Sequence, residues 1–248
     1  MSNFLGAVQF PLFFISCNQI NMRMVKLLST LFFSFFYSFV FSQNNYDFDY
    51  LLVYHASFQD KSIEKIYLTN SKDNSYFTSL TLSKDLTYVY FDMIDRNREF
   101  VVSSRFDKEL FFKARTVNFD CTNITSFHNP FKYKIEEYEF VNYNDTLVNG
   151  TLYHHYAIKS NKRLSYIKRK KISEYHYIVS RDSKIFLPFL AEATPYEEWK
   201  SKKNIPNGLL KILYHLNYDR KITYKLELKT FEKIEKKITV LEDCNHKK

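Results

Sequence analysis

The chain has 248 residues, 45% hydrophobic and 25% charged, with three glycines, five prolines and three cysteines. It is too apolar to stay disordered, and its scarce, scattered glycines exclude the loops that cradle phosphates or dinucleotides. A formal charge of +9 favours anionic partners, or simply solubility, and says nothing about fold.

The first 21 residues, "MSNFLGAVQFPLFFISCNQIN", carry no charge. A start codon assigned too far upstream accounts for them, with Met22 or Met24 the initiator. Tandem apolar segments acting as a membrane anchor are the alternative. Residues 22–42 read as a signal peptide: Arg23 and Lys26 are positive, Leu27 to Phe41 are apolar apart from Thr30 and scattered serines, and Val40 and Ser42 precede the cut before Gln43. The apolar run spans about 22 Å as a helix, short of a bilayer crossing. The expected destination is the periplasm, the outer-membrane periphery or the medium, and residues 43–248 form one β-rich domain.

Aromatic residues make up 19% of the chain, nearly all Phe and Tyr, with Trp199 the one tryptophan. Such side chains suit a half-buried pleated surface, although AT-rich codons would enrich the same residues. From Tyr46 onward, "DYLLVYHA", "IEKIYLTN", "SYFTSLTLS" and "LTYVYFDMI" alternate with short polar breaks, which predicts a meander. "REFVVSSRF" and "ELFFKARTV" predict another hairpin, with a short helix capped by Ser104 as the competing reading. "FKYKIEEYEFV", "GTLYHHYAIKS", "LSYIKRKKI" and "EYHYIVS" follow as strands. Thr194, Pro195 and Glu197 form a capping box that opens a helix from Pro195 to Lys203. "LLKILYHLN" and "ITYKLELKT" then make a hairpin through "YDRK". The fold class is mainly β, a single antiparallel sheet with one short helix before the C-terminal hairpin.

The stretch "NIPNGLLKILYHLNYDRKITYKLELKTFEKI" resembles the C-terminal part of the GLPGLI family of exported proteins from Bacteroidota-type bacteria. Ile205, Pro206, Gly208, Leu209 and Leu210 stand where the family's motif falls, with Asn204 replacing its first glycine and Asn207 inserted. The resemblance implies an exported antiparallel sheet, curved like the half-barrels of lipoprotein carriers, and no activity. The residues themselves read Pro206-Asn207-Gly208 as a turn from helix to strand.

No catalytic, cofactor-binding or metal site is recognisable: G-x-S-x-G, H-E-x-x-H and zinc-spaced cysteine pairs do not occur. His154 and His155 point to opposite faces of one strand. Glu174 and His176 share a face, as an acid–base or ligand pair or as a cross-strand surface pair. Cys121 could be a nucleophile, though no local signature accompanies it. After export, Cys121 and Cys244 would be two thiols in an oxidising compartment, either bridged or free. Lys159, Lys162, Arg163, Lys168, Arg169, Lys170 and Lys171 form a basic run, read as an anionic-surface patch or as a solvated hairpin tip. The functional expectation is an envelope-located, membrane-peripheral module without cofactor. It would bind an apolar or anionic ligand, an anionic lipid or another envelope protein, and not nucleic acid. The alternative is a secreted hydrolase whose site is assembled from scattered residues.

Overall fold

Period-two alternation becomes thirteen strands in one open sheet. The computed structural model describes residues 43–58 and 61–241. Strands β1 (Gln43–Phe58), β2 (Lys61–Asn70), β3 (Asp73–Leu82), β4 (Tyr88–Asp95) and β5 (Phe100–Asp107) form the expected meander. Short strands β6 (Thr116–Phe119), β7 (Ile124–Ser126), β8 (Tyr138–Asn142) and β9 (Thr146–Val148) follow. The C-terminal half is β10 (Thr151–Ser160), β11 (Glu174–Ser180), β12 (Leu210–Leu216) and β13 (Ile222–Leu241).

The spatial order is β7-β5-β4-β3-β2-β1-β13-β12-β11-β10-β8, with β9 on β10 and β6 on β13. The sheet does not close, and its form fits a curved sheet with little helix. The long central pair β1–β13 joins the two halves. Among the described residues every pairing is antiparallel except β6 with β13.

Three helices are present among the described residues: α1 (Lys108–Lys113), α2 (Leu164–Lys170) and α3 (Ala193–Lys202). Two correct strand expectations. "ELFFK" is helical and capped by Asp107, whose carboxylate accepts from the Leu110 amide at 3.0 Å, rather than by Ser104. "LSYIKRK" is helical too: its cations fall in the last turn, where they suit the dipole, and Lys171 ends it in a left-handed conformation. The first part of "FKYKIEEYEFV" is also not strand but two 3-10 turns, Pro130–Tyr133 and Ile135–Glu137.

Helix α3 lies where the sequence places it, but its N-cap position is Glu192 and no side chain caps it. Thr194 is buried inside the first turn, and Glu197 accepts from Asn129 Nδ2 at 2.6 Å instead of closing a capping box. Tyr196, fully buried, anchors the helix on the sheet, with Trp199 packed beside it.

Two apolar clusters occupy opposite faces. On the first, Tyr54, Tyr67, Phe77, Tyr156, Tyr177, Leu213 and Leu226 meet Phe186, Phe189, Leu190 and Tyr196 of the long β11–β12 connection. On the second, Ile66, Leu68, Phe91, Met93, Phe111, Phe119 and Ile238 pack together. β1 serves both: Tyr46 and Phe48 join the second cluster, and Leu52 and Tyr54 the first, with a register shift between Phe48 and Tyr50.

Gly208 fixes the return of the β11–β12 connection. Its φ is +151°, and a Cβ there would lie 2.4 Å from the Ser180 carbonyl oxygen, so only glycine fits. Its amide donates to the Phe186 carbonyl at 2.9 Å, and neighbouring Ile205 and Leu209 enter the first core. Residues 1–42, which include the upstream extension and the signal, lie outside the described residues, as does Cys244.

Candidate functional site

The first face carries a cleft of about 420 Å³ where the β11–β12 connection leaves part of the sheet uncovered. β2 and β3 contribute Lys65, Tyr67, Phe77 and Ser79, β13 contributes Thr223, Tyr224 and Leu226, and Phe58 closes one side. Ala191 and Glu192 form the opposite wall, with His215 of β12 beside them. The volume lies within the range of small-ligand sites, and so does the mixture of apolar walls with few polar groups.

Aromatic packing makes the floor rigid. Phe189 sits 4.9 Å from the Tyr67 ring and 5.5 Å from the Phe77 ring, and Tyr67 meets Tyr54 edge-on at 5.9 Å. Burial raises the hydroxyl pKa of Tyr67 strongly and pushes Tyr224 up to about 12, so both are neutral at physiological pH. Besides the Ser79, Thr223 and tyrosine hydroxyls, two further polar features interrupt the apolar surface. His215 Nε2 is 3.5 Å from the Glu192 carboxylate and makes no hydrogen bond. Lys65 holds its ammonium 5.6 Å from the centre of the Tyr224 ring and forms no ion pair among the described residues.

Behind the wall, the buried guanidinium of Arg96 donates to the carbonyls of Leu190 and Ala191. It also lies 5.5 Å from the Phe77 ring and 5.3 Å from that of Tyr196. Burial depresses its pKa, opposed by the Glu192 carboxylate.

A second constellation stands on the opposite face of β10, β11 and β12. Glu174 and His176 do meet, Oε2 to Nε2 at 3.2 Å, and Arg220 donates to the same carboxylate at 2.6 Å. His176 Nδ1 is 3.0 Å from His155 Nε2, which is 3.3 Å from the Tyr214 hydroxyl. With Glu174 accepting from His176 Nε2–H, Nδ1 of His176 must accept from Nε2–H of His155. Burial lowers the pKa of both imidazoles. His154 points the other way and pairs with Asp145 at 3.0 Å. Among the described residues no group of three or more His, Cys, Asp or Glu could hold a metal ion.

The basic run is split by its surroundings. Lys159 pairs with Glu139 at 3.2 Å and Lys162 with Glu137 at 3.6 Å. Arg163, Lys168, Arg169, Lys170 and Lys171 are exposed on and beside α2, without a carboxylate partner among the described residues. Cys121 opens a 3-10 turn after β6. Sequence reading missed Lys65, Arg96, Glu192, His215 and the link from His155 to His176. Each owes its place to pairing between distant segments, and none carries a local signal.

No family model matches this chain, and no curated protein does. Among solved structures, an uncharacterized conserved protein from Thermus thermophilus is similar at 6% identity and a TM-score of 0.41, covering 75% of this chain and 79% of that one. The MucA/MucB complex of Pseudomonas aeruginosa gives 9% identity and a TM-score of 0.39, covering 83% of this chain and 56% of that one. A putative outer membrane lipoprotein-sorting protein domain from Vibrio parahaemolyticus gives 9% and 0.27, covering 75% and 85%. Scores this low decide neither activity nor partner.

Proposed function

We propose that this chain is a non-catalytic, envelope-located binding module that holds an apolar ligand in the first-face cleft. The carrying observation is the aromatic cleft itself, walled by Phe58, Tyr67, Phe77, Tyr224 and Leu226, with Lys65 and the Glu192–His215 pair as its polar contacts. A hydrophobic chain would bury its surface against these rings, and the polar groups would orient its head. The envelope location rests on the signal read in residues 22–42, and the GLPGLI resemblance accords with it. N-terminal sequencing of exported protein should begin at Gln43, and peptides from residues 1–21 in that fraction would contradict the signal.

Titration with a fluorescent fatty acid tests the cleft. The parent should bind saturably, and Thr223→Trp or Ser79→Phe, which fill the cleft, should weaken binding at least tenfold without loss of fold. Unchanged affinity in both filled variants would reject the reading.

The chain Arg220–Glu174–His176–His155 favours a second reading, a hydrolase with His155 as general base. No serine or threonine hydrogen-bonds His155 among the described residues. Reproducible ester turnover abolished by His176→Ala would establish this reading over the first.

A further inference from the structure

Strand register gathers three connections at one end of the sheet. Phe58 lies opposite Tyr224, Tyr224 opposite His215, His215 opposite Tyr175, and Tyr175 opposite Ile158. Just beyond this row lie the β1–β2 connection, the β12–β13 turn and the β10–β11 connection that contains α2. These segments are far apart in sequence, so their shared end is invisible without the pairing.

That end combines unpaired cations with bare aliphatic and aromatic side chains. Arg163, Lys168, Arg169, Lys170 and Lys171 are joined by exposed Lys61 and Lys221, none in an ion pair among the described residues. The acids at this end are Glu174, held by Arg220, Glu137 and Glu139, paired with Lys162 and Lys159, Glu192 beside His215, and exposed Glu136 and Asp219, while Asp60 lies outside the described residues. At the same end stand Leu164 (60% exposed), Ile222 (58%), Ile63 (54%) and Phe58 (52%). Large apolar side chains left in water beside clustered cations need an explanation that solubility alone does not supply.

We propose that this end of the sheet docks on an anionic lipid surface. Lysine and arginine would meet headgroup phosphates while Leu164, Ile63, Ile222 and Phe58 enter the headgroup–acyl boundary. A nucleic acid would satisfy the cations but offer nothing to the three aliphatic side chains, and nonspecific strands are held through aromatic stacking instead. Phe58, Lys65, Thr223 and Tyr224 of the cleft lie at this same end, so a ligand could pass between cleft and surface without crossing open water. The docking itself does not depend on the cleft's ligand.

Vesicle co-sedimentation tests it, using phosphatidylcholine with about one-third phosphatidylglycerol against phosphatidylcholine alone. The parent should bind the acidic vesicles, and binding should fall with salt. K168Q/R169Q/K170Q/K171Q should bind at least tenfold more weakly with its fold intact by circular dichroism. I63S/I222S should also bind more weakly, with the loss persisting at high salt. Equal binding by the parent and the four-glutamine variant overturns the proposal. So does equal affinity for neutral vesicles, or tighter binding to a single-stranded oligonucleotide than to acidic vesicles. Fatty-acid binding in vesicle-free solution separates the two readings: the four-glutamine variant should retain it. Vesicle docking by a parent that binds no fatty acid would remove the cleft reading and leave this one standing.

Discussion

His155 and His176, twenty-one residues apart, share a hydrogen bond of 3.0 Å across β10 and β11, and Tyr143 stacks against both rings. Glu174 and Arg220 polarise one end of this chain, and the Tyr214 ring lies parallel to His176 at 4.7 Å. Two imidazoles this close tolerate one proton each far better than a charge on both. Burial lowers both pKa values from the ordinary 6.5, and the His155 charge adds to the effect on His176.

Stability should therefore fall on acidification. Below about pH 6.5 the unfolded chain takes up protons that the folded imidazoles refuse, so stability is lost as pH falls from 6.5 toward the depressed folded values. Urea unfolding across pH 7.5 to about 5 measures this slope. His155→Phe with His176→Phe should flatten it, and a slope unchanged in that double variant would show that other groups cause it.

Gly208→Ala should destabilise strongly. The backbone conformation alone costs about 1–3 kcal/mol for a residue with a side chain. The added methyl also meets the Ser180 carbonyl and the Val179 side chain, at 2.4 and 2.5 Å. A fall in Tm of roughly 4–10 °C is expected for a chain of this size. Gly150, whose Cβ would meet nothing within 4 Å but whose φ is +80°, separates conformation from contact. Gly150→Ala should cost less, and equal losses at both positions would refute the close-approach argument.

These two sites also mark what the sequence could reveal. Strands β1 to β4 and β10 to β13 announce themselves, because alternating side chains such as Tyr224, Lys225 and Leu226 must face core and water in turn. Helix α2 did not, since "LSYIKRKKI" has too few apolar residues to set a period, and its form follows from the connection it makes. Gly208 was legible as a turn, but not as the point where two backbones touch. The cleft was not legible at all: Lys65, Glu192 and Tyr224 come from segments separated by over a hundred residues, or by thirty-two, and only the ladder brings them together.

Cys121 and Cys244 should be bridged. β6 runs parallel to β13 with Phe119 opposite Val240, so Cys121 follows two residues after one partner and Cys244 four after the other. At about 3.3 Å per extended residue, about 7 Å of chain leads from that shared rung to Cys121 and at most about 13 Å to Cys244, so the chain lengths allow a bridge. Cys244 itself lies outside the described residues, so the pairing is a proposal. A non-reduced mass two protons lighter than the reduced one is expected, with a loss of about 4 kcal/mol in stability on reduction. Rapid alkylation of both thiols in native, unreduced protein would exclude the bridge.

Arg96 ties stability to the cleft. It leaves the β4–β5 turn and donates to the carbonyls of Leu190 and Ala191, the latter being part of the cleft wall with Glu192. Arg96→Met keeps much of the side-chain volume but strands two carbonyls, which should cost about 2 kcal/mol or more where they are buried. The wall would then loosen, so fatty-acid affinity should drop together with Tm. Lys200→Gln is the control: Lys200 reaches Asn97 of the same turn at 2.8 Å, but from an exposed position. Its loss should change stability by no more than about 0.5 kcal/mol and leave binding unaltered. An Arg96→Met protein that melts lower yet binds the fatty acid like the parent would mean that this wall does not shape the cleft, and the ligand must be held by β2, β3 and β13 alone.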